Sequence, residues 1–190
     1  MVSHRYTQLA IWLHWLVAIG IFANIALAWT WDLLPDAQVR PAIDLHKSIG
    51  ITVLGLAVMR LLWRVTHKPP TLPNGYKQWE ITTSHITHWA LYLLIFTMPI
   101  TGWMHDSAWK DAATHPMYLF GTIEWPRIGF IMSMDPVTKE SLHDLFGELH
   151  EIAAKLVYVL VGLHILGALK HQFLDKEREL QRIWFWGTPE

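Results

Sequence analysis

The chain has 190 residues, of which 52% are hydrophobic and 16% charged, and its formal net charge at pH 7 is −1. An ordinary soluble domain has about 25% charged residues, so this composition indicates a membrane protein. The complete lack of cysteine excludes disulfides, thiolate catalysis, iron–sulfur clusters and covalent haem attachment through C-x-x-C-H. The near-neutral charge, without any basic run, argues against nucleic-acid binding.

Four apolar stretches are long enough to cross a bilayer, which takes roughly 20 helical residues for a hydrocarbon core of about 30 Å. They predict spans at about residues 9–31, 46–66, 85–104 and 148–170. The first stretch also contains Ala26-Leu27-Ala28, which resembles a signal-peptide cleavage site. However, its apolar run is too long for a signal peptide, and tryptophans lie near both of its ends, as interface anchors do. We therefore predict a retained first span.

The distribution of charge predicts the orientation. The end of the second span and the connection to the third carry the basic residues Arg60, Arg64, Lys68 and Lys77. The other two connections are acidic overall. Because basic residues remain on the cytoplasmic side, both termini and the middle connection are expected there, and a long outer loop is expected at about residues 105–140. The predicted fold class is all-α, an integral membrane up-and-down four-helix bundle.

Two histidines bound the last span, in "HEIAAKLVYVLVGLH" from His150 to His164. Fourteen residues of α-helix rise roughly 21 Å and turn back to within about 40° of the starting direction. Both imidazoles therefore share one helix face and lie near opposite sides of the bilayer. Polar side chains at membrane depth are costly and usually functional, so each imidazole is expected to have a partner.

Depth within the spans suggests those partners. His14 lies about five residues inside the first span, which matches the depth of His164 on the cytoplasmic side. His46 opens the second span on the outer side, where His150 opens the fourth. A noncovalent b-type haem needs one neutral imidazole on each face of its iron. The two pairs, His14 with His164 and His46 with His150, therefore predict two b-type haems, one near each membrane surface.

Other residues leave alternatives open. His85 and His88 could replace His14, contact haem propionates or line a quinone site. Arg60 and Arg64 could contact propionates or a quinone headgroup, or could only anchor the protein to the cytoplasmic surface. Lys155 could attract an anion or a propionate, or could be a snorkelling lysine. Gly50, Gly162 and Gly167 could admit a porphyrin or allow close helix packing.

His143, one heptad before His150, is an alternative outer ligand. At roughly 31 Å from His164 along a helix, it is expected outside the hydrocarbon core.

The segments "YTQLAIWLHWLVA", "DLHKSIGITVLGLAVMRLLWR" and "LHEIAAKLVYVLVGLHILGALKH", with the His85/His88 stretch and its later Pro99 and Gly102, resemble the bacterial cytochrome b561 family. That family is related to the cytochrome b subunit of nickel–iron hydrogenases. The resemblance covers nearly the whole chain and is poorest at residues 106–140. It implies a single dihaem membrane domain over residues 1–190, located in the bacterial inner membrane. By position it also implies the axial ligands His14, His46, His150 and His164.

The resemblance implies electron transfer between a quinone, here ubiquinone, and another redox partner. One hypothesis is a redox enzyme with a one-electron donor on the outer side, which in part of the family is superoxide. The acidic outer loops should repel such an anion. A second hypothesis is an electron-transfer subunit for a periplasmic or membrane partner, with the outer loop as docking surface or as a lid. A histidine-based metal or proton transporter is disfavoured because the span centres hold no Asp or Glu.

Overall fold

The structure is a computed structural model that describes residues 5–71 and 75–185. Four long helices dominate this part of the chain: α1 (Gln8–Thr30), α2 (Asp36–Thr66), α3 (Gln78–Ala108) and α5 (Pro136–Leu169). The shorter elements are a 3-10 turn (Trp31–Leu33), strands β1 (Tyr118–Leu119) and β2 (Ile123–Glu124), helix α4 (Gly129–Met132), a π-helical turn (Lys170–Leu174) and helix α6 (Glu179–Arg182).

Three helical segments of the described chain are long and apolar enough to cross a membrane, namely Gln8–Leu33, Asp36–Thr66 and Pro136–Leu174. The remaining predicted span lies within α3, which has as many residues as α2. Helix α3 does not contain a continuous stretch as apolar as those of the other three, because polar side chains such as His85 and His88 interrupt it. Three of the predicted spans thus coincide with candidate membrane helices, while the four-span bundle and the cytoplasmic termini stay predictions.

Several helices extend beyond the predicted spans, chiefly at the ends that lead into connections. Helix α2 begins at Asp36, ten residues before the predicted span at 46, and α5 begins at Pro136. Asp135 caps α5, since its carboxylate accepts hydrogen bonds from the backbone N–H groups of Val137 (3.1 Å) and Thr138 (3.0 Å). A proline in the first helical turn is favourable because its missing N–H has no intrahelical partner to lose. The connection between α3 and α5 is therefore shorter than residues 105–140.

Consecutive long helices alternate in direction. The indole N–H of Trp63, near the end of α2, donates to Thr7 Oγ1 at the start of α1 (2.8 Å). Helix α5 packs chiefly on α3, α1 packs on α2, and α2 also packs on α3. Two small apolar clusters fill the interior, one formed by Val17, Val53, Ala57 and Ile95 and the other by Leu94, Ala153 and Val157. Many other large apolar side chains face outward, as the lipid-facing surface of a membrane helix requires.

We name the two ends of the bundle by their histidines: the inner end holds His14 and His164, and the outer end holds His46 and His150. The C-terminal segment 179–185 covers part of the inner end. The Trp15 indole donates to the carbonyl of Ile183 (2.8 Å), and the Tyr6 N–H donates to the carbonyl of Arg182 (3.2 Å). These contacts join the C-terminal segment to the start of α1.

Gly20 allows α1 to lie close to α2. A Cβ atom there would lie 2.5 Å from Cγ2 of Val53, whose side chain is buried and β-branched and cannot easily move aside. We expect Gly20→Ala to lower the free energy of unfolding by about 1–3 kcal/mol through overpacking. A lower midpoint in thermal unfolding of the detergent-purified protein would show this loss.

The matched control is Gly55→Ala, in α2, because a Cβ at Gly55 meets nothing within 4 Å. Equal midpoints for both variants would contradict the close approach of α1 and α2.

Candidate functional site

The outer histidine pair consists of His46 in α2 and His150 in α5, with ring centres 6.2 Å apart and ring planes at 69°. His46 Nδ1 lies 3.3 Å from the carbonyl oxygen of Asn24, which can only accept a hydrogen bond. His150 Nδ1 lies 3.1 Å from Thr101 Oγ1. Because the Thr101 hydroxyl donates to the carbonyl of Thr97 (2.8 Å), its oxygen accepts from His150. Both rings thus carry their proton on Nδ1, which leaves Nε2 as a free ligand atom.

The inner histidine pair consists of His14 in α1 and His164 in α5, with ring centres 6.3 Å apart and ring planes at 68°. A third imidazole is close, since the ring centre of His88 lies 5.1 Å from that of His164. His88 Nδ1 donates to the carbonyl of Ser84 (2.7 Å), so its Nε2 is also free to bind a ligand. The inner end therefore brings together three of the predicted histidines.

Both pairs have the spacing of two imidazoles that share one metal ion. A metal–imidazole bond is about 2 Å long. Two such bonds in line, with the distance from nitrogen to ring centre added on each side, place the ring centres about 6 Å apart. The separations of 6.2 and 6.3 Å agree with this value.

A cavity of about 600 Å³ surrounds the outer pair and lies between α1, α2, α3 and α5. Its lining includes Asn24, Gly50, Gly102 and both outer imidazoles. The side-chain oxygen of Asn24 is buried there without a hydrogen-bond partner. A volume of this size is in the range of small-molecule and cofactor pockets, roughly 300–1,000 Å³.

A buried ion cluster lies beside the outer cavity. Asp106 accepts hydrogen bonds from Lys47 Nζ (2.6 Å) and Arg127 Nε (2.8 Å) and is only 7% exposed. Burial would raise the pKa of Asp106, but the two cations outweigh it and hold the pKa below its usual range. Arg127 belongs to the connection between α3 and α5, so this cluster fastens the outer loop to the ends of α2 and α3.

Two further histidines line the cavity and pair with each other. The rings of His105 and His143 stack with centres 3.8 Å apart, and each Nδ1 donates to the other residue's backbone carbonyl (2.8 and 3.0 Å). His143 therefore lies against α3, and the imidazole that faces His46 is that of His150. The sequence pattern offered His143 only as an alternative ligand, and its heptad spacing from His150 was the available signal for a shared face.

Of the other residues predicted to contact propionates or a quinone, the two arginines lie near the inner histidines, whereas His85 and Lys155 are exposed. Arg60 acts electrostatically on His14, His88 and His164, and Arg64 acts on His88. His85 is exposed. Lys155 is 68% exposed, pairs with Glu151 (2.8 Å), and is not among the residues that line the outer cavity.

Comparison with known proteins indicates which cofactor the two histidine pairs could hold. The family described as prokaryotic cytochrome b561 matches residues 5–186. The chain belongs to the prokaryotic cytochrome b561 family. It is 34% identical to "Cytochrome b561 homolog 2" of Escherichia coli (strain K12), over 94% of this chain and 90% of that protein. It is 28% identical to "Probable superoxide oxidase CybB" of Yersinia pestis, over 94% and 95% of the two chains.

The predicted resemblance is thereby confirmed. This cytochrome b561 family member is a bacterial membrane protein of electron transport, and the family implies b-type haem. The residues at the outer pair fit that group: two imidazoles with free Nε2 atoms at metal-sharing distance, beside a cavity lined by glycines.

Gly102 lets α3 approach the outer imidazole of this cytochrome. A Cβ atom at Gly102 would lie 3.2 Å from Cε1 of His150, so the ring would have to shift by a few tenths of an ångström. Functional constellations tolerate only about 0.5 Å of displacement. We expect Gly102→Ala to lower haem content per chain and to broaden the reduced visible spectrum.

Gly55→Ala is again the control, and both variants are compared after purification in the same detergent. An unchanged spectrum and haem content in Gly102→Ala would contradict the assigned role of this contact.

Proposed function

We propose that this protein carries electrons across the bacterial inner membrane through two b-type haems, from a one-electron donor on the outer side to ubiquinone. The observation that carries the proposal is the repetition of one geometry: two histidine pairs, at opposite ends of the bundle, with ring centres 6.2 and 6.3 Å apart. Bound haem iron supplies one-electron chemistry. The rest of the function depends on how the protein holds its ligands and admits reactants.

The proposed axial ligands are His46 and His150 at the outer end and His14 and His164 at the inner end. Fixed tautomers support the outer assignment, because the bonds from Nδ1 to Asn24 and Thr101 orient both rings. At the inner end His88 is the competing ligand, since it has the same arrangement through Ser84. Equal ring-centre spacing favours His14 over His88, whose ring is 5.1 Å from that of His164.

The proposed orientation has both termini in the cytoplasm, which puts Arg60 and Arg64 on the cytoplasmic side. Their electrostatic action on the inner histidines suits contact with acidic propionates at that end. The same residues also satisfy the preference for basic residues inside. The outer end then faces the periplasm, where Lys47 and Arg40 line the cavity.

The local charge of the cavity supports an anionic donor such as superoxide, which the name of the Yersinia pestis relative suggests. Although the outer loops are acidic overall, the ion-paired groups beside the cavity are three cations and two carboxylates, so their cluster carries one net positive charge; its members are Arg40, Asp44, Lys47, Asp106 and Arg127. Two superoxide ions would each give one electron and leave as O₂, and ubiquinone would take both electrons with two protons to form ubiquinol.

The ligand assignment is tested by counting haem per chain in purified variants. We expect two haems per wild-type chain and one in each of His150→Ala and His164→Ala, because each of these changes removes one axial imidazole. His14→Ala should also lose one haem, whereas His88→Ala should retain both. His143→Ala is the control for the outer end. Retention of two haems in His150→Ala, or loss in His88→Ala but not in His14→Ala, would contradict the assignment.

The donor is tested with purified protein, ubiquinone and an enzymatic source of superoxide. We expect quinone reduction without any partner protein, at a rate that falls with ionic strength because attraction over the cavity mouth is screened. Lys47→Gln should lower this rate several-fold, whereas Lys110→Gln, at an exposed position of the outer loop, should not.

The alternative is an electron-transfer subunit that serves a periplasmic or membrane redox partner. It would be supported if the pure protein, with both haems bound, failed to reduce quinone with superoxide and gained activity only with a co-purifying protein.

A further inference from the structure

The hairpin formed by β1 and β2 has an unusual residue at its turn. The strands pair antiparallel, with Leu119 opposite Ile123, and residues 120–122 connect them. Phe120 has φ of 49° and Gly121 has φ of 68°. Glycine accepts such a conformation without cost, and asparagine accepts it better than most residues, but for a bulky aromatic residue it is strained. Phe120 is 55% exposed, so packing within the protein does not explain why an aromatic residue occupies this position.

A hydrogen bond joins the hairpin to α2 at a point that lies inward from the outer end of that helix. The backbone N–H of Phe120 donates to Ser48 Oγ (3.0 Å), and Ser48 is 1% exposed. Ser48 precedes Trp63 by fifteen residues, or roughly 22 Å along the helix. Trp63 is followed by Arg64 and marks the inner membrane interface. Since the hydrocarbon core is about 30 Å thick, Ser48 lies inside its outer boundary.

The hairpin exposes chiefly aromatic and aliphatic side chains at this depth, and the hydroxyl of the exposed Thr122 donates to the carbonyl of Leu119 (3.2 Å). Tyr118 is 42% exposed, Phe120 55% and Ile123 63%. No charged residue occurs from Tyr118 to Ile123, and the first one, Glu124, lies opposite Tyr118 at the end of the strand pair away from the turn. An aromatic and aliphatic tip with charge only at its base has the polarity of a membrane-interface element.

The backbone of the turn is also suited to an apolar environment. The Thr122 N–H donates to the carbonyl of Leu119 (3.0 Å), and the Trp125 N–H donates to the carbonyl of Met117 (2.9 Å). With the bond from Phe120 to Ser48, three backbone donors of the hairpin and its base have partners within the protein. Unpaired backbone groups are what excludes irregular segments from lipid, and here these donors are paired.

We propose that the hairpin tip, Phe120 to Ile123, is an interfacial anchor whose side chains insert into the outer leaflet of the lipid bilayer. The anchor holds the adjoining Met117, which is buried and lines the outer cavity, at a fixed height relative to the membrane. The connection between α3 and α5, which lines part of the outer cavity, is thus held by lipid at the hairpin tip and by the ion pair between Arg127 and Asp106.

The test uses the natural lack of cysteine, which allows a single thiol to be placed at each chosen position. Phe120→Cys and Ile123→Cys are labelled with an environment-sensitive fluorophore and reconstituted into phosphatidylcholine nanodiscs. Val159→Cys is the lipid-exposed reference and Ala113→Cys the water-exposed reference, because both side chains are exposed, one in the middle of α5 and the other in the outer loop. The haem spectrum of each variant verifies its folding.

We expect the labels at positions 120 and 123 to be quenched by lipids with a nitroxide near the top of the acyl chain and to be protected from aqueous iodide. The label at position 113 should show the reverse. Iodide quenching at 120 and 123 equal to that at 113 would overturn the proposal, because the tip would then lie in water. Protection from both quenchers would also overturn it, because the tip would then be covered by protein. The variant at position 123 decides the question if Phe120→Cys does not fold.

Discussion

The arrangement of this protein depends on the separation between imidazoles that α5 presents to its neighbours. Helix α5 has histidines fourteen residues apart, which sets two heights roughly 21 Å from each other on one face. Helix α2 must bring His46 to the height of His150 at the outer end, and α1 must bring His14 to the height of His164 at the inner end. In each pair the ring centres are then about 6 Å apart. An unsatisfied imidazole at these depths would be costly. The relative heights of three helices are therefore determined by two pairs of side chains.

This constraint explains which parts of the fold the sequence could predict. Spans α1, α2 and α5 follow from long apolar runs, and the pairing of their histidines follows from helical rise alone. The ends of the helices do not follow, because the first turns of α2 and α5 lie outside the apolar runs and carry charged residues. Their helical state depends on local capping, such as that by Asp135, rather than on burial in lipid. Helix α3 is less clear as a membrane span, because polar side chains such as His85 and His88 interrupt its apolar run.

The polar groups around the outer cavity were harder to predict than the ligands. Asp106 meets Lys47 across 59 residues and Arg127 across 21, and no periodicity relates them. Counting the acidic residues of the outer loops suggested repulsion of anions, whereas pairing by tertiary contact leaves the cluster positively charged. Likewise, Thr101 and Asn24 determine the tautomers of the outer pair through contacts that only the packed helices bring about. Sequence patterns thus reveal groups that share a helix face or a depth in the membrane, but not partners that neither periodicity nor depth relates.

The two ends of the bundle differ in access, and this difference gives direction to the proposed electron transfer. At the outer end a cavity of about 600 Å³ adjoins the histidine pair and is lined by both charged and apolar side chains. At the inner end a smaller cavity of about 330 Å³ lies between α1 and α2, and the C-terminal segment packs across the start of α1, with the ring of Trp184 against Trp15 and that of Phe185 against Trp12. A small reactant needs a space of its own beside the redox centre, while an electron relay needs only close packing. The geometry therefore favours entry of a small donor at the outer end, and electrons that pass through the inner pair would reach ubiquinone from the inner end.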